Sequence, residues 1–162
     1  ASEKVAMPDA VIIGGGPGGG TAATLLARRG YSVVLLEREI FPRAHVGESL
    51  LPASMPVLEE LGVLGQIESE NFPKKYGATM VWGRDDTPWS WYFRETNRTY
   101  PHAYQVSRPR FDQILLDNTK SSGVDVRENC NVFETLSDSE SGAIHGVRYR
   151  RDNGIVESVE AD

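Results

Sequence analysis

The chain has 162 residues, 17 Lys+Arg against 23 Asp+Glu for a net charge of −6, 40% hydrophobic and 9% aromatic residues, the balance of an ordinary globular domain. Its longest apolar runs, such as Val11 to Ile13 and Val33 to Leu36, fall far short of the ~20 residues a membrane helix needs, and its first residues lack the apolar block of a signal peptide, so the expected location is the cytoplasm, away from any membrane. The negative charge argues against a broad attraction for nucleic acid, and a single cysteine, Cys130, permits neither an internal disulfide nor a cysteine-built metal site.

Asp9 to Ile13 is a short run rich in β-branched residues, and the seven-residue turn Gly14-Gly-Gly-Pro-Gly-Gly-Gly20 follows it. The stretch Thr21 to Arg29 then carries Ala22, Leu25, Leu26 and Arg29 at helical spacing, with Gly30 as a stop. A second β-rich run, Tyr31 to Leu36, ends in Glu37, 23 positions after Gly14. Strand, glycine turn, helix, strand and acid in this order make a Rossmann-like βαβ unit that binds a dinucleotide. In that reading Gly14 makes the tight turn, Gly16 lets the backbone approach a pyrophosphate, and Gly19 lets the helix pack close to the strand. Pro17 stands at the helix start, whose free N–H groups face the anion. Glu37 is suited to accept both hydroxyls of an adenosine ribose, which favours FAD or NAD; Arg38 beside it keeps NADP open.

Residues 41 to 52 break both periodicities and read as a loop, and Ser54 precedes a short helix, Met55 to Leu61, closed by Gly62. From Tyr76 to Tyr104 eight of the fourteen aromatic residues gather, punctuated by Gly83, Asp85-Asp86 and Pro88. This segment, about 76–104, reads as an antiparallel excursion on the substrate side, with Trp89, Trp91 and Phe93 on one strand face and Met80 and Trp82 sharing a face on the strand before. Each tryptophan, taken alone, is expected to pack a core. A helix is expected from Pro109 to Lys120, with Phe111, Ile114 and Leu115 on one face, and a strand from Val124 to Val126. The end, about 131–160, reads as a three-stranded meander around Ser137 to Gly142 and Asp152-Asn153-Gly154. His45, His102 and His145 lack any second ligand at metal spacing, so no metal is expected. Cys130 reads as a small packed side chain. The fold expected is thus α/β: a dinucleotide-binding βαβ unit with an inserted antiparallel sheet and a meander. The parallel sheet has few strands, and Val159 to Asp162 stand where another would begin.

At this point the residues resemble the flavin-dependent halogenases, within the p-hydroxybenzoate-hydroxylase-like group of FAD enzymes. The resemblance rests on Val11 to Gly20, on Glu37-Arg-Glu-Ile-Phe-Pro-Arg43 with Val46-Gly-Glu-Ser-Leu-Leu-Pro52, on Asn71-Phe-Pro-Lys-Lys-Tyr-Gly-Ala78, and on Tyr104-Gln-Val-Ser-Arg108 with Arg110-Phe-Asp112. The Gly-Glu-Ser and Phe-Pro-Lys-Lys blocks are the more specific ones and look like the branch that acts on pyrroles or phenols held on carrier proteins. The resemblance implies an oxidoreductase of antibiotic and other secondary metabolism that uses reduced FAD (FADH2) and oxygen to oxidise chloride or bromide to hypohalous acid, which then halogenates an electron-rich ring. It implies that 1–162 form the N-terminal part of a larger FAD-binding domain, with a separate flavin reductase and an acyl or peptidyl carrier protein as partners. By its place in the Lys-Tyr-Gly-Ala segment, Lys75 corresponds to the catalytic lysine, either forming a chloramine or, as an ammonium, hydrogen-bonding the hypohalous acid. Without the resemblance, Lys74-Lys75 reads as a solvated pair at a strand start.

The resemblance also places Glu37 at the adenosine ribose, Arg43 by the adenine end, Arg108 towards the pyrophosphate, Gln105 as a weaker neighbour, and Gly47, Glu48, Ser49 and Pro52 in a loop near the flavin. Trp89-Ser-Trp91 imitates only the first half of the family's Trp-x-Trp-x-Ile-Pro signature and occurs too early, so it is read as coincidence. The later flavin-contacting segment and the halide site are expected beyond Asp162, and these residues alone are expected to catalyse nothing. Two other functions remain in view: an FAD monooxygenase or reductase of the same fold, in which Lys75 has no chemical role, and a nucleotide-binding module without chemistry.

Overall fold

The structure is a computed structural model that describes residues 7–84 and 86–161. The leader reading of the first residues, the turn role of Asp85 and the terminal Asp162 fall outside the described residues. The chain forms two compact units, one comprising the residues up to Arg43 and those from Asp112 onward, the other Ala44–Phe111.

In the first unit β1 (Ala10–Ile13), β2 (Val33–Leu36) and β7 (Asp125–Arg127) form a parallel sheet in the order β1-β2-β7, with Ile13 opposite Leu36 and Leu36 opposite Arg127. All four residues of β2 are buried, as befits a central strand covered on both faces. Its alternation divides them: Val33 and Leu35 pack with Ala23, Phe41, Leu116 and Val124, whereas Val34 and Leu36 pack with Cys130, Val147 and Tyr149. Burying Leu35 and Leu36, at 0% and 1% exposure, stabilises the unit by about 1.5–3 kcal/mol each.

Helix α1 (Pro17–Arg28) begins four residues earlier than the periodicity suggests, because Pro17 occupies the first helical position, where its missing N–H costs nothing. Helix α4 (Arg108–Ser121) ends before Gly123, whose φ is +90°. The two helices meet at small groups: Thr24 and Thr119 hydroxyls lie 3.0 Å apart, and Thr119 Oγ1 is 3.1 Å from the Gly20 carbonyl. The meander forms as expected from its turn residues, with β8 (Cys130–Ser137), β9 (Ile144–Arg151) and β10 (Val156–Glu160) antiparallel in the order β10-β9-β8. Cys130 is buried there, and burial pushes its thiol up from the usual range.

The second unit holds α2 (Met55–Glu60), α3 (Leu64–Ser69), and two antiparallel pairs, β3 (Lys74–Lys75) with β6 (Ala103–Tyr104), and β4 (Gly77–Met80) with β5 (Trp89–Tyr92). The sequence reading did not anticipate α3. The antiparallel excursion is present, but two of its details change. Trp82 lies beyond β4, and Phe93 opens a 3₁₀ turn after β5. The expected core packing of the tryptophans holds only in part: Trp82 is 80% and Trp89 60% exposed, Trp91 is half-buried, and Phe93 alone in this group is fully buried. The cause is the ladder's length. Met80–Trp89 is its last pair, so Trp82 has no strand opposite to pack it. Among the described residues no helix is long and apolar enough to cross a membrane.

Candidate functional site

The glycine turn is built by close approach. Gly14 has a φ of +96°, and a Cβ on Gly19 would lie 2.0 Å from the Gly14 carbonyl oxygen, so only glycine fits there. Gly16 caps α1 with extended backbone and no side-chain hydrogen bond, and no acidic residue lies in the first turn. A helix start of this kind, with its dipole, is suited to an anion.

Glu37 follows β2 and is 4% exposed. Its backbone is held on both sides, donating to the Arg127 carbonyl at 2.9 Å and accepting from Cys130 N–H at 2.8 Å. Its Oε2 accepts from Gly15 N–H at 2.6 Å and its Oε1 from Glu39 N–H at 2.8 Å. Each carboxylate oxygen keeps a second lone pair for a further donor. The acid and the glycine turn are thus joined directly.

Arg43 stands beside the same turn. A Cβ on Gly16 would meet its Nη2 at 3.5 Å. Its Nε lies 3.1 Å from Glu39 Oε2 and its Nη1 3.2 Å from Asp112 Oδ2, as ion pairs without aligned hydrogen bonds, and its guanidinium stacks 4.6 Å from the Phe41 ring centre. Asp112 has no exposure. It is a neighbour of the turn for which the sequence motifs alone suggest no role. The signal was available: it shares a helical stripe with Leu115, Leu116 and Thr119, and a charge on a buried stripe needs a partner.

The second unit brings Lys75 and Ser49 together. The segment 103–106 is flanked on one side by Lys74–Lys75, with Lys75 opposite Ala103, and on the other by 48–50, through the Ser49–Gln105 bridge and Leu50 N–H donating to the Tyr104 carbonyl at 3.0 Å. Lys75 reaches across this ribbon. Its Nζ donates to Ser49 Oγ and, at 3.0 Å, to the Leu50 carbonyl, and lies 5.4 Å from the Phe93 ring centre. Trp91 stands edge-on to Phe93 at 5.3 Å. Gly77 allows this, since a Cβ there would lie 2.3 Å from the Trp91 carbonyl oxygen. Lys75 is half-buried and Lys74, on the opposite face, is exposed. On the Lys74 face the His102 ring lies between Tyr76, tilted at 49°, and Tyr104, edge-on at 89°; burial, then the Lys74 charge, holds its imidazole below the usual value.

Arg108 is 8% exposed and its Nη1 donates to the carbonyls of Val46 at 2.8 Å and Gly47 at 3.3 Å, bracing that loop. Gly14, Gly16, Pro17, Gly19, Glu37 and Arg43 thus belong to the first unit, and Ser49, Lys75 and Arg108 to the second.

A family model described as the FAD binding domain matches residues 7–162. The chain belongs to that family. This FAD-binding domain is 41% identical over 130 residues to a tryptophan 2-halogenase of Chondromyces crocatus, which covers 80% of the chain and 24% of the relative. It is 38% identical over 143 residues to the 1H-pyrrole-2-carbonyl-[peptidyl-carrier protein] chlorinase of Pseudomonas fluorescens, covering 78% and 32%. Among solved structures it matches the FAD-dependent myxobacterial chondrochloren halogenase with a TM-score of 0.87 at 44% identity, covering 96% of this chain and 36% of that one. The chain therefore spans about a quarter to a third of the length of the curated relatives it matches. The donor set of the domain fits its cofactor: a side-chain-free turn at an uncapped helix start for a pyrophosphate, and a carboxylate beside it for a ribose.

Proposed function

We propose that this FAD-binding domain serves a flavin-dependent halogenase that halogenates an electron-rich aromatic ring with chloride or bromide. In this reading the turn Gly14 to Gly19, with Pro17 opening the helix, holds the pyrophosphate, Glu37 accepts the ribose hydroxyls and Arg43 adds positive charge beside the turn. Bound FAD, when reduced, supplies the electrons with which oxygen oxidises the halide to hypohalous acid. A separate flavin reductase supplies the reduced form.

The observation that carries the reading is the placement of Lys75. A lysine in a Lys-Tyr-Gly-Ala segment is half-buried, with its ammonium fixed by Ser49 Oγ and the Leu50 carbonyl beside the Phe93 ring. Likeness to halogenases over most of the chain supports the same reading. The Pseudomonas relative acts on a pyrrole held by a peptidyl carrier protein, which favours a carrier-held pyrrole or phenol here too.

The test is turnover of the whole protein with FAD, a flavin reductase, oxygen and either halide, on a carrier-held pyrrole or phenol, read by mass spectrometry. A product mass that changes with the halide supplied is expected. A hydroxylated product, indifferent to halide, would give the protein to the monooxygenases of this fold.

A further inference from the structure

We propose that Ser49 is the positioning residue for Lys75, and that together with the Leu50 carbonyl it presents the lysine as an ammonium with one N–H left for the oxidised halogen. This rests on the halogenase reading above. An ammonium has three donors and no acceptor. Two of them go to Ser49 Oγ and the Leu50 carbonyl, and the third is left for the reactant. Beside these two oxygens the Nζ lies over the Phe93 ring, 5.4 Å from its centre. The backbone makes the arrangement stiff, because the strand bearing Lys75 and the segment bearing Ser49 are both paired to residues 103–106.

The chemistry follows from that one free donor. Lys75 N–H donates to the oxygen of hypohalous acid and polarises the oxygen–halogen bond. The ring carbon attacks the halogen, the carbon–halogen bond forms as the oxygen–halogen bond breaks, and the ring proton and the released hydroxide leave as water. Lysine ends as it began, with no nitrogen–halogen bond formed. Ser49 touches neither ring nor halogen; it sets the direction of the Lys75 N–H.

Two readouts test this, using Ser49→Ala and Ser49→Thr in the whole protein, with circular dichroism to verify folding. Ser49→Ala removes a hydrogen bond to a charged group, so kcat for halogenation should fall about 10- to 100-fold with KM for the ring unchanged. Ser49→Thr, which keeps the hydroxyl, should restore most of it. Independently of turnover, brief acetic anhydride labelling at fixed pH, read by peptide mass, should modify Lys75 faster in Ser49→Ala, whereas Lys74 on the opposite face keeps its rate. Unchanged kcat and unchanged Lys75 labelling would overturn the proposal, as would halogen found covalently on Lys75. Absence of halogenation by the unsubstituted protein would contradict the halogenase reading and this role with it, while the labelling contrast still decides whether Ser49 holds Lys75.

Discussion

Arg43 and Asp112 form an ion pair with Nη1 and Oδ2 3.2 Å apart, and the Asp112 side chain has no solvent exposure while that of Arg43 has 10%. Two residues distant in sequence, one after β2 and one in α4, hold a guanidinium next to Gly16. The pair gives the glycine turn a fixed positive neighbour.

Breaking it should cost the fold first. Asp112→Ala leaves a nearly buried guanidinium with, among the described residues, the partly exposed Glu39 as its carboxylate partner, and should lower unfolding free energy by about 3 kcal/mol. Urea denaturation measures this, and a change near zero would show that the pair holds nothing.

The glycine turn gives a contrast between neighbours. Gly19→Ala drives a methyl to 2.0 Å from the Gly14 carbonyl and should abolish flavin binding in a fluorescence titration. Gly18→Ala meets nothing within 4 Å. It should keep flavin binding and leave stability unchanged or raised by up to about 1 kcal/mol, as for Gly to Ala in a helix. Equal effects of the two substitutions would contradict the close approach drawn here.

The exposed tryptophans should matter little to the stability of this domain. Trp82→Ser and Trp89→Ser, at 80% and 60% exposed residues, should each change it by no more than about 0.5 kcal/mol. Phe93→Ala, at a wholly buried ring, should cost about 3–5 kcal/mol. Thermal melts of the three variants separate the two classes.

His102 makes stability depend on pH. Burial, then the charge of Lys74, lowers its pKa in the folded state from 6.5, with Glu68 acting the other way. The unfolded chain therefore binds more protons in that window, so this stability is complete above pH 6.5 and declines as pH falls below it. Urea midpoints at about pH 7.5 and about pH 5.5, on either side of the ordinary histidine value, should differ more in the unsubstituted protein than in His102→Gln. An identical difference would remove His102 from the account.

The first forty residues were legible because local rules agree there. Gly14, Gly16 and Gly19 have spacing with a steric meaning, β2 is apolar throughout, and Glu37 sits where β2 ends. The helix α4 and the meander were legible from Pro109 and from Asp152-Asn153-Gly154 for the same reason. What stayed hidden depends on pairing between distant segments. A two-residue ladder, Lys74–Tyr104 and Lys75–Ala103, is too short for any periodicity, yet it decides which lysine faces Ser49. Helix α3 is a six-residue element containing Gly65, too short to show a stripe. The core expectation for Trp82 failed because alternation predicts a shared face only while the strand lasts.

The central claim is that Lys75 activates the oxidised halogen for attack by the ring, and Lys75→Ala tests it most directly. Product mass and oxidation of reduced flavin should be followed together in the same reaction of the whole protein with chloride or bromide. The account predicts that the halogenated product disappears while flavin oxidation continues at an unchanged rate. Halogenation that persists in Lys75→Ala would contradict it.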